Sequence, residues 1–302
     1  MSALSFNDLL AMAGVAPREV NVILHSPVSR DFAKALPALC LSCPDVLTTF
    51  QATHSQGAER ALLSARPLVA SFVRIDGNAA EGHSRLLFAG MFEKRGSRMR
   101  RYSEIVDEPD MRFLLETFRS GADYRYMLDE PEREQRWFDM PPVETLGFLR
   151  GRLIIGARLT PSYVRLAENL DAPVLAILEE GMFDAPPPDW RRLTLTAGEV
   201  RSLPPSWAAR LAEWRGVYLI VDESDGARYV GAAYGETNLL GRWQAHTAGP
   251  QGVTRDLAAR ETRNFRFSIL ERVSPDMPAE DVIRLEQTWM DRLATRIYGL
   301  NA

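Results

Sequence analysis

Gly216-Val217-Tyr218 and Tyr229-Val230-Gly231 lie on two short apolar runs separated by Asp222-Glu223-Ser224-Asp225-Gly226. The pattern reads as a β-hairpin with one tyrosine on each strand, the Asp-Gly pair supplying the positive φ that a tight turn needs. Working outward, Leu239 to His246 reads as a helix that puts Arg242 and His246, four residues apart, on one face. A loop punctuated by Gly249-Pro250-Gln251-Gly252 and a helical piece around Leu257 come next. Asn264 to Leu270 then alternates as a third strand. Pro278 with Glu280 and Asp281 marks a helix start, the acids suiting its positive end, and that helix is expected to run to about Ile297 and stop at Gly299. Upstream, Pro204-Pro205-Ser206-Trp207 opens a short helix ending near Trp214.

Glu286 is informative by its spacing. Ile283, Met290, Leu293 and Ile297 fall at helical intervals from it, so the carboxylate shares the predicted apolar stripe. An acid facing a core is costly unless a cation partners it, and that cation could be a metal ion or an arginine. The other residues have ordinary readings when taken one at a time. Tyr218 and Tyr229 suit packed strand positions, Arg242 and His246 a solvated helix face, and Asn301 a cap near the chain end.

Taken in order, the segment from about residue 207 to 302 resembles the GIY-YIG nuclease family. Gly216-Val217-Tyr218 stands at the first family motif and Tyr229-Val230-Gly231 at the second, with Val for Ile in both. Arg242 falls where the family's catalytic arginine belongs, and His246 matches a His or Tyr of some branches. Glu286, within Leu285-Glu286-Gln287-Thr288-Trp289, matches the metal-binding glutamate, and Asn301 the closing asparagine. Two departures concern substrate contacts. Ala232-Ala233 follows the second motif where relatives often carry a hydroxyl residue, and the loop 249–254 lacks the expected lysine or asparagine, with Arg255 close by.

The resemblance implies an α/β (α+β) module with a small three-stranded antiparallel sheet flanked by helices. It implies hydrolysis of DNA phosphodiesters with one Mg²⁺ or Mn²⁺ held by Glu286, the metal polarising a phosphate oxygen and stabilising the leaving 3′-oxygen. Arg242 would bind the scissile phosphate. Tyr218 is expected as the base and Tyr229 as the hydrogen-bonding partner of phosphate or water, with His246 in the relay and Asn301 holding the loop around the metal. An unperturbed phenol, pKa near 10, needs the field of Arg242 or the metal for such a role. The alternative is a non-cleaving DNA-binding or assembly module. Nothing in the sequence reads a 2′-hydroxyl, so RNA stays open as a substrate.

The rest of the chain sets the frame. With 302 residues, 46% apolar and 25% charged, it is long enough for two globular domains. The clearest break, Pro186-Pro187-Pro188, divides 1–186 (an N-terminal α+β domain for DNA recognition or partner binding) from the nuclease-like 187–302. No apolar stretch approaches bilayer length, and Met1 to Asp8 shows no basic start with an apolar core, so a cytoplasmic protein with no membrane partner is expected. A net charge of −4 means that any DNA surface must be local. The bias to arginine, with Lys34 and Lys94 the only lysines, reads as codon composition. Lys94, Arg95, Arg98, Arg100 and Arg101 form a basic cluster on a predicted strand-to-strand loop, either a phosphate-tracking surface or a solvated hairpin tip. Cys40 and Cys43 read as reduced thiols, although a zinc site recruiting His25 or His54 uses the same spacing. Residues 1 to about 60 read as mostly helical. Strands are expected over Leu68–Val73, Arg85–Phe92, Leu153–Ile155 and Val174–Leu178.

Overall fold

In a computed structural model, residues 4–78, 82–118, 124, 126–184, 187–249 and 254–301 are described. Pro186 of the proline break, residues 250–253 of the Gly/Pro loop, and Met1 to Ala3 lie outside the described residues. The chain divides into two compact units, Met1–Asp184 and Ala185–Ala302. Helix makes up 40% and strand 28% of the described residues, which places the protein in the mixed α/β class. Among the described residues no helix is long and apolar enough to cross a membrane.

The N-terminal unit is built on a seven-stranded sheet. Its strands are β1 (Val20–His25), β2 (Leu68–Asn78), β3 (Ser84–Glu93), β6 (Pro142–Val143), β7 (Leu153–Ala157), β8 (Val164–Leu166) and β9 (Val174–Ile177). They lie in the order β8-β1-β2-β3-β7-β9, with β6 also pairing β3. A two-stranded ribbon joins β4 (Gly96–Arg101) to β5 (Glu134–Asp139). Only β1 and β2 run parallel, so the sheet is mixed. Side chains alternate between two cores. Ile23, Val69, Val73 and Leu87 face the Arg30–Ser42 helix side, and Val22, Phe72, Leu86 and Phe88 face Phe6 and Leu10.

Two features of this unit were not expected from the sequence. Residues 1–60 are mostly helical, as expected, but β1 interrupts them as an interior strand. Every residue of Val20–His25 is buried, so its pattern shows no polar alternation to mark it. The Lys94–Arg101 segment is not a loop: Gly96–Arg101 is a strand whose residues pair with Glu134–Asp139.

The C-terminal unit carries a second sheet, of β10 (Thr194–Thr196), β11 (Arg215–Asp222), β12 (Arg228–Ala233) and β13 (Phe265–Val273), in the order β10-β13-β11-β12. It has four strands rather than the expected three. The added strand is only three residues long, and its last residue, Thr196, also caps the Ala197–Arg201 helix. One face buries Tyr218, Ile220, Tyr229, Phe265 and Phe267 under Trp243 of the Asn238–Ala248 helix. The other buries Val217 and Val230 under Met290 of the Ala279–Arg292 helix. The strand period of two thus separates the motif tyrosines from the motif valines.

The last helix also departs from expectation. It ends at Arg292, Ala294 takes a left-handed conformation with φ 50°, and a separate turn covers Thr295–Tyr298. Its inward stripe is Val282, Leu285, Trp289, Met290 and Leu293, whereas Ile283 and Ile297 are exposed. Glu286 still adjoins that stripe, and the Trp289 indole N–H donates to Glu271 on β13 at 2.8 Å to fix the helix.

The hairpin glycines have distinct reasons. Gly226 has φ 80° in the turn, where Asp222 and Asp225 accept the Ser224 and Ala227 amides. Gly216 has φ 152° beside a register shift, and a Cβ there would strike the Glu271 carbonyl. A Cβ on Gly231 would fall on the Tyr218 phenol that lies across it. Gly216→Ala is therefore expected to destabilise the protein by more than about 3 kcal/mol, as backbone clash and positive φ combine. Gly226→Ala, which meets nothing within 4 Å, costs only its positive φ, about 1 kcal/mol. Urea unfolding of the two variants checks the contrast, and equal losses would contradict it.

Candidate active site

β12 is the edge strand of its sheet, so alternate backbone groups point outward without a strand to meet them. Those of Arg228, Val230 and Ala232 are met by the C-terminal segment and the last helix. The Leu300 amide donates to the Arg228 carbonyl at 2.8 Å. The Asn301 side chain accepts from the Val230 amide at 2.8 Å and donates to the Val230 carbonyl at 2.7 Å, as a neighbouring peptide would. The Ala232 amide donates to the Glu286 carboxylate. Asn301 is thus a positioning residue that pins the second motif, the Ala294 break letting the chain turn back to reach it.

On the tyrosine face, the Tyr218 hydroxyl and His246 Nε2 are 2.6 Å apart. The His246 ring lies edge-on to both phenols, with centroids 5.6 Å from Tyr218 and 5.5 Å from Tyr229. Arg242, one turn before His246 on the same helix, sets its guanidinium beside both hydroxyls and within the field of Glu286. The structure therefore brings together Tyr218, Tyr229, Arg242, His246 and Glu286, from two strands and two helices, at the β12 edge.

Burial governs the protonation states. Tyr218 is 0% exposed, and desolvation, then the neighbouring Tyr229, push its pKa up against the smaller opposing pull of Arg242. Tyr229 is raised too, by burial first and then by Glu286. Both phenols are neutral at pH 7. The Tyr218 hydroxyl is buried and lies against His246 Nε2, whereas Tyr229 is the more accessible of the two phenols. Burial, helped by Arg242, lowers His246 to about 4, so the imidazole is neutral. The positive guanidinium beside Tyr218 directs the phenol proton toward Nε2. Glu286 is raised by burial, with the Ala232 amide and then Arg242 and Arg296 pulling it back.

The remaining sequence candidates lie elsewhere. Arg255 is exposed at the start of the short Arg255–Ala258 helix. Lys94, Arg95, Arg98, Arg100 and Arg101 belong to the N-terminal unit. There Lys94 donates to the Leu62 and Ser64 carbonyls, Arg95 pairs with Glu93, Arg100 with Glu108 and Arg101 with Glu132. Most of the cluster's charge is met within the fold, which leaves the exposed Arg98. Cys40 is buried with its pKa pushed up, Cys43 is exposed, and among the described residues no group of three or more His, Cys, Asp or Glu is arranged to hold a metal. Sequence reasoning missed Ala232 as a functional position, because its role is carried by its amide. An edge strand implied by the hairpin's place in the chain was the only available signal.

No family model and no curated protein matches the chain. Among solved structures it is similar to two forms of one domain, described as the catalytic domain of the homing endonuclease I-TevI and of a mutant of that intron endonuclease. Each match has 24% identity, spans 29% of this chain and 96% or 92% of the other, and has a TM-score of 0.25. A likeness at that level fixes neither fold nor activity.

The His246 site has a measurable pH signature. Its folded pKa of about 4 lies below the ordinary 6.5, so between those values the unfolded chain binds a proton that the folded one does not. Stability is present above pH 6.5 and is lost as pH falls toward 4, by about 1.4 kcal/mol per unit and up to about 3 kcal/mol in all. His246→Gln keeps a partner for Tyr218 and cannot titrate. Denaturation of both proteins at pH 7 and pH 4.5 is expected to show a smaller acid loss in the variant, and identical losses would contradict the assignment.

Proposed function

We propose that the C-terminal unit is a GIY-YIG-type endonuclease that hydrolyses DNA phosphodiester bonds with one Mg²⁺ or Mn²⁺. The observation that carries this reading is the convergence of an inward acid, a guanidinium and two phenols beside the edge strand β12. Closing the β12 edge calls for an acceptor at Glu286 but not for a half-buried guanidinium beside both phenols, and Arg242 supplies one.

Glu286 is the residue that would hold the metal. A single carboxylate, already accepting the Ala232 amide, suits a hard octahedral ion that keeps water in most positions. When bound, that ion supplies Lewis-acid stabilisation of charge on the phosphate and the departing oxygen. Arg242 binds the scissile phosphate and offsets charge as it builds there. Tyr229, 6% exposed against 0% for Tyr218, is the phenol placed to orient the attacking water. A neutral phenol orients and does not deprotonate, so the water's proton leaves to solvent or to a phosphate oxygen. Tyr218 and His246 act behind it, their 2.6 Å contact fixing the wall on which Tyr229 and Arg242 rest.

The reading as a non-cleaving DNA-binding module is the weaker one. It looked to the Lys94–Arg101 cluster for its surface, and the fold neutralises most of that charge. A plasmid-nicking assay tests the two. Glu286→Ala and Arg242→Ala are each expected to slow Mg²⁺-dependent nicking by about 100-fold or more while a circular-dichroism spectrum like that of the unaltered protein shows that the fold is kept. Full activity of Glu286→Ala, or equal nicking in EDTA, would overturn the proposal.

A further inference from the structure

The turn Thr295–Tyr298 is pinned on both sides, yet its tip stands in solvent. Thr295 is buried, and its carbonyl accepts the Asn301 amide at 3.2 Å. The Ala294 carbonyl accepts the Ile297 and Tyr298 amides at 3.1 and 2.9 Å. Gly299 packs so closely on the Arg228 carbonyl that a Cβ would strike it, and the Leu300 carbonyl accepts the Thr254 hydroxyl at 2.6 Å. Together with the Asn301 carboxamide on Val230, these contacts fix the turn to β12, the strand that carries Tyr229 and meets Glu286.

What the turn projects is apolar. Ile297 is 75% and Tyr298 85% exposed, side by side, and neither joins a core of the unit. A single exposed apolar side chain needs no explanation. An adjacent pair on a pinned turn, surrounded by cations, is a different case. Arg296 is half-exposed and meets only Asp291, at 3.4 Å. Arg228, Arg255 and Arg292 border the turn and are exposed, and among the described residues none of the three has a carboxylate partner. The acids next to these arginines in the chain are Asp256 and Asp291, so positive charge is in excess. Arg296 also lies within the field of Glu286, which places the turn beside the candidate site.

An aromatic ring and an aliphatic side chain set among arginines suit a nucleic acid. Its phosphates meet the guanidinium groups and its base faces meet the ring. An apolar protein surface would have to bring acids of its own. Exposed apolar side chains of this kind wedge between base steps and unstack them. We propose that Arg296, Ile297 and Tyr298 grip the DNA strand beside the bond to be cut. Arg296 holds a flanking phosphate, and Tyr298 stacks on a base that Ile297 helps to unstack. The choice of DNA as the polyanion rests on the nuclease reading of the C-terminal unit, whereas the exposed pair and its arginines do not. Unstacking costs least where a base is already unpaired, so the preferred substrate is a duplex with an unpaired base near the cut.

The test is DNA binding by the full chain in EDTA, where no cleavage is needed for a signal. Fluorescence anisotropy is measured with short duplexes, with and without one unpaired base, over a range of salt concentrations. The duplex with the unpaired base is expected to bind more tightly. Tyr298→Ala is expected to weaken that binding about tenfold, the scale of one lost base–aromatic stack. Arg296→Gln is expected to reduce the slope of log affinity against log salt by about one, the mark of one lost phosphate contact. Both side chains are exposed, so neither substitution threatens the fold, and circular dichroism checks this. No DNA binding, no preference for the unpaired base, or binding that both substitutions leave unchanged would overturn the inference. The last result is the one expected if the apolar pair docks on a protein instead. Plasmid nicking in Mg²⁺ separates the two claims. Nicking by a protein whose DNA binding ignores both substitutions removes this inference alone, and binding that depends on Tyr298 and Arg296 without any nicking removes only the nuclease reading.

Discussion

The C-terminal unit depends on how the outer edge of β12 is closed. An edge strand offers backbone groups that must find partners, and here they find the Leu300 amide, the Asn301 carboxamide and the Glu286 carboxylate. The Asn301 amide mimics a peptide and ends the sheet without a fifth strand. The carboxylate does something the amide cannot: it brings a negative charge to the rim, from the face of the sheet opposite the tyrosines. One structural requirement, satisfying an edge, thus sets the acid beside the guanidinium.

Burial then divides the labour on the tyrosine face. Tyr218 lies under Trp243 and against His246, so it can hold neighbours in place but cannot reach solvent. Tyr229, on the edge strand itself, lies at the rim. The two motif tyrosines occupy equivalent positions in a sequence pattern, yet differ in solvent access because one belongs to an inner strand and the other to an outer one. Gly231 makes the arrangement possible, since any side chain there would displace the Tyr218 phenol.

Much of this was legible in the residues. The Asp222–Gly226 turn, the i and i+4 placement of Arg242 and His246, and an acid beside an apolar stripe all follow from local periodicity. What escaped depended on distance. Val20–His25 is buried on both faces and so carries no alternation. Thr194–Thr196 is too short to register as a strand. Ala294 breaks the last helix without being a glycine or a proline, and its left-handed φ is explained only by the need to return the chain to β12. The Lys94–Arg101 cluster looked available because Glu108 and Glu132, which neutralise two of its arginines, lie on other segments. The difference in access between Tyr218 and Tyr229 escaped for a related reason: solvent access is a property of the assembled sheet and is not written in any strand's own pattern.

The most direct measurement of the central claim is a double-mutant cycle on nicking rate between Glu286→Gln and Arg242→Gln. Groups that act as one unit on the same phosphate lose most of their effect together, so the double variant is expected to be little slower than the worse single variant. Losses that simply multiply would show that the acid and the guanidinium act independently, and would contradict the account of the β12 edge as a single site.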